Sequence, residues 1–147
     1  MENDEKQICV LLVEDDPGDQ KLIKTALMSQ ECGINPMVVS SGETAMDYLK
    51  MSTEDAVRYP GPSLILLDLN MPGMGGKEFL RKVKADEDLC SIPVVVVTTS
   101  DSESDIRECY TLHAAGYIQK AAVPEEFRDV LKRLTHYWFS VSSMLKR

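Results

Sequence analysis

Positive charge is scarce in this sequence of 147 residues: 16 lysines and arginines stand against 24 aspartates and glutamates, a net charge of −8. That balance does not suit binding to a phosphate backbone, which needs clustered basic residues, so no direct nucleic-acid partner is expected. Long apolar runs are also missing. The longest are strand-sized, far below the ~20 residues that cross a bilayer, and Met1 to Gln7 is acidic and polar rather than signal-like. A cytoplasmic protein without membrane association is expected. Cysteine is sparse, and Cys9, Cys32, Cys90 and Cys109 lie far apart with no CxxC pair. Three of them fall in apolar-periodic segments, so the reading is buried free thiols. There is no repeat and no low-complexity segment. With 44% hydrophobic residues the chain can form one core, burying roughly two thirds of its unfolded surface, and a second domain does not fit.

What the sequence does contain is a set of short, near-continuous apolar runs with polar ends. Ile8 to Val13 runs into Glu14-Asp15, Leu64 to Leu67 into Asp68, and Val94 to Val97 into Thr98. Uninterrupted runs of this length read as strands buried on both faces of a parallel sheet, and such sheets bind ligands beyond their carboxyl ends. The polar endings should therefore meet. Carboxylates converging there repel one another unless a cation sits among them, and the cation suited to carboxylate oxygen and water is Mg²⁺.

Between the runs lie helix-like segments, the alternation of repeated βαβ units. Asp16-Pro17 offers an N-cap and a proline at the first helical position, before an apolar stripe of Leu22, Ile23, Ala26 and Leu27. Capping accounts for Asp16 and leaves Glu14 and Asp15 as the acidic pair facing the site. A second strand is expected over Met37 to Val39, then a helix opened by Gly42 with Ala45, Met46 and Leu49 inward. Strand three is Leu64 to Asp68, followed by a helix carrying Phe79, Leu80 and Val83. Strand four is Ile92 to Thr98, followed by a helix capped at Ser100-Asp101 and bearing Ile106, Cys109 and Tyr110. Tyr117-Ile118 marks a fifth strand, and Pro124 starts the last helix. His113 and His136 lack a neighbouring acid-base partner in sequence and are given no chemistry.

In order and spacing, Val13-Glu14-Asp15-Asp16, Leu67-Asp68-Leu69-Asn70-Met71-Pro72, Val97-Thr98-Thr99 and Tyr117-Ile118-Gln119-Lys120 resemble the signature of bacterial response-regulator receiver domains. The resemblance covers roughly Gln7 to Leu134. More narrowly, the long loop before strand three, Leu112-His113, the missing proline after Lys120 and the aromatic C-terminal end are similar to small single-domain regulators paired with phytochrome-type histidine kinases. It implies one receiver domain over 1–147, with a core near 7–134 and a C-terminal extension near 135–147. The implied fold is α/β and flavodoxin-like: a doubly wound parallel sheet of five strands in the order 2-1-3-4-5, with five helices.

Carried onto this chain, the resemblance makes Asp68 the phosphoacceptor, Asp15 a direct Mg²⁺ ligand, Glu14 a ligand through water, and the backbone carbonyl of Asn70 a further ligand. Physical chemistry asks for the same parts. A carboxylate attacking phosphorus brings one anion against another, so a metal and a lysine must offset the charge that gathers. Lys120 supplies the second cation, and Thr98 a hydroxyl for a phosphoryl oxygen, with Thr99 or Ser100 available for another contact. Tyr117 matches the family's aromatic that turns inward as the threonine hydroxyl shifts, a paired switch. The implied role is signalling rather than enzymatic: phosphoryl transfer from a partner histidine kinase, then a shape change read by a separate protein. A phosphorelay intermediate and a phosphorylation-independent docking module stay open.

Two departures from the family pattern stand out. Gly75 replaces a common Asp in the turn after the phosphoacceptor, which should loosen that turn. Lys120-Ala121 replaces Lys-Pro, so a trans bond is expected, because a cis bond before alanine would cost ~3 kcal/mol. Two rivals, one an enzyme and one a binding module, fit poorly. A haloacid-dehalogenase-type phosphohydrolase needs an acid two residues past its nucleophile, where Asn70 stands, and a flavodoxin-like nucleotide binder would not place Glu14-Asp15-Asp16 against phosphate. At the C-terminal end, Phe127, Val130, Leu131, Leu134, Trp138 and Val141 recur at helical spacing. Continued to Met144, that helix would span about 30 Å at 1.5 Å per residue. Its overhang would leave Phe139 directed away from the core stripe, and a homodimer is the expected cover.

Overall fold

The computed structural model describes residues 8–30 and 33–145. Met1 to Gln7 and Cys32, for which the sequence raised expectations, lie outside the described residues. Strands and helices alternate without exception: β1 (Ile8–Val13), α1 (Pro17–Met28), β2 (Ile34–Val39), α2 (Gly42–Glu54), β3 (Leu64–Leu67), α3 (Gly76–Ala85), β4 (Val94–Thr98), α4 (Glu103–Thr111), β5 (Gly116–Gln119) and α5 (Pro124–His136). The strands form one parallel sheet in the order β2-β1-β3-β4-β5, the expected flavodoxin-like arrangement.

The apolar runs are continuous because both faces of the sheet are covered. On one face Leu11, Val13, Ile65, Leu67, Val94 and Val96 pack against Ala45, Leu49, Phe79, Leu80, Val83 and Cys109 of α2, α3 and α4. On the other, Val10, Leu12, Leu64, Leu66, Val95 and Val97 meet Ile23 and Leu27 of α1 and Phe127, Leu131 and Leu134 of α5. Each large apolar side chain fully buried this way contributes about 1.5–3 kcal/mol. Asp16 caps α1 by accepting the Asp19 amide at 2.8 Å, with Pro17 at the first turn.

Several boundaries and exposures differ from the sequence reading. β2 begins at Ile34 rather than Met37, with Pro36 inside it. An edge strand has a neighbour on one side only, so a missing N–H is tolerated. β4 begins at Val94, after Ile92 and Pro93. The cap of α4 is Ser102, which accepts the Asp105 amide at 3.3 Å, whereas the Ser100 hydroxyl donates to the Asp105 carboxylate. Tyr110 is exposed, and of the described cysteines Cys9 and Cys109 are buried while Cys90 is exposed. His113 closes α4 with φ 71°, in the left-handed position where glycine is usual. Its amide bonds the Tyr110 carbonyl and the Ala114 amide the Cys109 carbonyl. The Lys120-Ala121 bond is trans, as expected.

The largest difference is at the C-terminal end. α5 stops at His136 and gives way to a π-helical turn over Tyr137–Val141. One extra residue per turn rotates the segment beyond it, so Phe139, expected to point away, packs with Trp138 and Met144 against the α1/α5 core, while Val141 is 62% exposed. Among the described residues of this C-terminal segment, the large apolar side chains left in water are Tyr137, Val141 and Leu145. The case for a homodimer therefore loses Phe139.

α3 starts hard against the end of β3. A Cβ on Gly76 would collide with the Asp68 carbonyl oxygen and lie 2.7 Å from the Leu69 Cα, whereas one on Gly75 would meet its nearest neighbour, the Leu69 carbonyl oxygen, at 3.8 Å. The turn is also tied from outside: Glu43 of α2 accepts the Met74 amide at 3.1 Å, a tether that the loss of an Asp at position 75 did not suggest. Gly76→Ala is therefore expected to lower unfolding free energy by about 2 kcal/mol, because backbone rather than a flexible side chain must yield. Gly75→Ala meets no such clash and should cost less, about 0.5–1 kcal/mol, because alanine is a poorer N-cap than glycine for α3. Urea unfolding of the two variants beside the parent chain checks both values.

Candidate functional site

The sheet's own hydrogen-bond ladder places the site. Each ladder runs one residue past its strand: the Glu14 amide donates to the Val39 carbonyl at 3.0 Å, the Asp68 amide to Val13 at 3.0 Å, and the Lys120 amide to Thr98 at 2.7 Å. Backbone at three strand ends is thereby fixed, and side chains leaving it share one edge. Glu14, Asp68, Thr98 and Lys120 are all buried there.

Glu14, Asp15 and Asp68 each bring a carboxylate oxygen within 4.8 Å of the others. Asp15 is the least enclosed of the three. Lys120 lies among the acids: its Nζ is 2.6 Å from Glu14 Oε1, 2.8 Å from Asp19 Oδ2 and 3.7 Å from Asp68 Oδ2. The second Glu14 oxygen accepts the Asp16 amide at 3.1 Å. On the opposite side, Asn70 stands near both Asp68 and Thr98, with its amide 3.4 Å from Asp68 Oδ1 and its side-chain nitrogen 3.5 Å from Thr98 Oγ1. Tyr117 is half-buried, and its hydroxyl donates to the Ser100 carbonyl at 2.9 Å. Ser100 in turn donates to Asp105, which pairs with Lys77 of α3. The aromatic is thus linked through the β4–α4 loop to two helices.

Electrostatically the site is short of positive charge. Burial pushes the Glu14 carboxyl up to about 7, against the pull of Lys120 and the Asp16 amide, and Asp68 adds to the rise. Burial alone would depress the Lys120 ammonium, but Asp19 and then Glu14 outweigh it and hold it above its ordinary range. One firmly charged lysine thus serves Glu14, Asp19 and Asp68, with Asp15 beside them. Clustered carboxylate oxygen with a charge deficit is the donor set that hard divalent cations take.

Of the residues singled out in the sequence, Glu14, Asp15, Asp68, Asn70, Thr98 and Lys120 meet at one edge, whereas the Tyr117 hydroxyl on β5 is bonded to the Ser100 carbonyl and the Ser100 hydroxyl to Asp105. Asp19 was not among them. It was legible as a first-turn acid, which the helix dipole favours without any partner, but its ion pair spans 101 residues and no local pattern carries that. Gln20 was missed as well; its side-chain amide donates to the Glu14 carbonyl at 2.6 Å and to the Ser40 hydroxyl at 3.2 Å, fixing the turn out of β1.

Comparison with known proteins bears on the family and the fold. Residues 10–132 match the family model of the response regulator receiver domain. The response regulator Rcp1 of Synechocystis sp. is 33% identical over 135 residues, covering 92% of this chain and 91% of that protein. The probable methanogenesis regulatory protein FilR2 of Methanothrix harundinacea is 33% identical, covering 91% and 85% of the two chains. Among solved structures, the phosphorylated cyanobacterial phytochrome response regulator RcpA superposes with TM-score 0.88 at 36% identity, over 95% of this chain and 99% of that one. The Mn²⁺-bound form of Rcp1 gives 0.87 at 33%, over 94% and 99%. The acidic cluster and that metal-bound relative both accord with divalent-cation binding typical of receiver domains.

A surplus of carboxylates makes a clear stability prediction. Asp15→Asn removes one of the crowded charges, so the metal-free variant should be more stable than the parent by about 1 kcal/mol, and millimolar divalent cation should stabilise the parent alone. Urea unfolding in chelator and in added metal reads both effects. Equal stabilisation of parent and variant by the metal would mean that Asp15 is not a ligand.

Proposed function

The chain belongs to the response regulator receiver domain family, and from that membership we propose that it is a single-domain, Mg²⁺-dependent phosphorylation switch whose acceptor is Asp68. The observation that carries the reading is the placement of the buried Asp68 carboxylate beside Lys120 Nζ, within a ring of acids, at the carboxyl edge of the sheet. The donor is the phosphohistidine of a partner histidine kinase. The relatives described as phytochrome response regulators favour a phytochrome-type kinase.

In the proposed transfer an Asp68 oxygen attacks phosphorus, a new P–O bond forms as the P–N bond to the donor histidine breaks, and the electron pair leaves with the imidazole nitrogen, which is protonated from solvent. The product is an acyl phosphate. Asp15, Asp68 and the Asn70 carbonyl, with Glu14 through water, would hold Mg²⁺, whose charge offsets that of the phosphoryl oxygens. Lys120 donates to one phosphoryl oxygen and Thr98 to another. Because Tyr117 now bonds the Ser100 carbonyl, turning inward behind Thr98 would cost it that bond and release the loop tied to Asp105. The face so altered is read by a separate protein, or the phosphoryl group moves on in a relay. The complete set of Asp68, Thr98 and Lys120 disfavours a docking module indifferent to phosphorylation. A homodimer through the C-terminal segment would have to use Tyr137, Val141 and Leu145.

Incubation with phosphoramidate and Mg²⁺, read by intact mass, should give a single phosphoryl adduct that is lost in Asp68→Asn and prevented by chelator. An Asn variant labelled as fully as the parent would remove Asp68 from the mechanism. Screening phosphotransfer from histidine kinases of the same organism would then identify the donor as the one that labels fastest.

A further inference from the structure

A lysine ammonium is a compact charge on a flexible four-carbon stem, with three N–H donors that rotate freely. To serve a phosphoryl group it must be aimed. In this site two of its contacts are short, 2.6 Å to Glu14 and 2.8 Å to Asp19, and the third, toward Asp68, is 3.7 Å. The geometry is a tripod. Two legs rest on fixed carboxylates, and the third is directed at the proposed phosphoacceptor.

The two fixed legs are not equivalent. Glu14 is a member of the metal cluster, so it has a second demand on it. Asp19 is outside that cluster and belongs to α1, where its backbone amide is held by the Asp16 cap at 2.8 Å. A first-turn acid serving the helix dipole alone would extend into water. The Asp19 side chain instead turns toward the sheet edge, is 26% exposed and meets a buried cation. We propose that Asp19 is a positioning residue: it anchors the Lys120 ammonium independently of the metal and keeps it directed at the phosphoryl group on Asp68. This rests on the assignment of Asp68 as the phosphoacceptor. It adds to that assignment a residue on α1, through which anything that moves the first turn of that helix would alter phosphoryl chemistry.

Asp19→Asn keeps the shape of the side chain and the backbone amide that Asp16 caps, and removes the charge. With phosphoramidate at saturating Mg²⁺, the maximal labelling rate should fall about tenfold, the lower end of what loss of an orienting partner costs, while the donor concentration for half-maximal rate stays the same. In a Lys120→Met background the same substitution should have no further effect, because the residue through which Asp19 acts is gone. A metal-free reading is independent of the chemistry: the ¹⁵N-labelled Lys120 ammonium should give a slowly exchanging signal in the parent that broadens in Asp19→Asn, with the thermal midpoint nearly unchanged. An unaltered rate in Asp19→Asn, or an equal loss with and without Lys120, would overturn the inference. If the parent itself is never labelled, the assignment of Asp68 fails instead, and a sharp ammonium signal in both proteins would then dispose of the anchor as well.

Discussion

A single buried ammonium shared among several carboxylates is the constraint that organises this site. Taking a lysine and its partners out of water is costly unless their geometry is close and their remaining polar atoms are bonded. Here the backbone positions both the partners and the lysine. Glu14 and Asp68 leave the ends of adjacent strands, Asp19 the first turn of the helix after β1, and Lys120 the end of β5 by way of an amide bonded to Thr98. Even so, the lysine cannot balance all the acids around it. Burial raises the Glu14 carboxyl, and the neighbouring Asp68 charge adds to that rise. The surplus of acid favours a divalent cation at the cluster of Glu14, Asp15 and Asp68.

That arrangement is inseparable from the way the sheet is built. Residues alternate between two cores along each strand, and the pairing register aligns the strand ends, Val13 with Val39 and Leu67, and Thr98 with Gln119. Polar side chains one residue beyond the core then have nowhere to go but the common edge. Gly76 carries the principle furthest, since α3 begins so close to the backbone of Asp68 that a methyl group would not fit. Local packing thus sets the position of the candidate acceptor, and the tether from Glu43 to the Met74 amide holds the loop beside it.

Much of this was legible in the sequence because strand ends announce themselves. Ile8 to Val13, Leu64 to Leu67 and Val94 to Val97 read as strands buried on both faces of a parallel sheet, which brings Glu14, Asp15, Asp68 and Thr98 to one edge, and Asp16-Pro17 marks the start of α1 by its capping chemistry. Other features were set by competition that a linear reading does not resolve. Ser100 and Ser102 are both good caps, and Asp105 engages both, one through its side chain and one through its amide. The C-terminal stripe was read at a constant 3.6 residues per turn, and the π-helical turn broke that period at Tyr137, which reversed the environment of Phe139. Asp19 was hidden for a third reason: its partner is remote in sequence, and its local role was sufficient to explain it.

Lys120, held here by Glu14 and Asp19, should turn to the phosphoryl group when one is present on Asp68. A crystal structure with Mg²⁺ and beryllofluoride, a phosphoryl mimic, decides whether it does. The expected structure has beryllofluoride on Asp68, Lys120 Nζ bonded to fluorine with Asp19 still as its anchor, and Thr98 Oγ1 bonded to a second fluorine. A structure in which beryllofluoride sits on Asp68 while Lys120 stays on Glu14 and makes no fluorine contact would refute that role for the lysine.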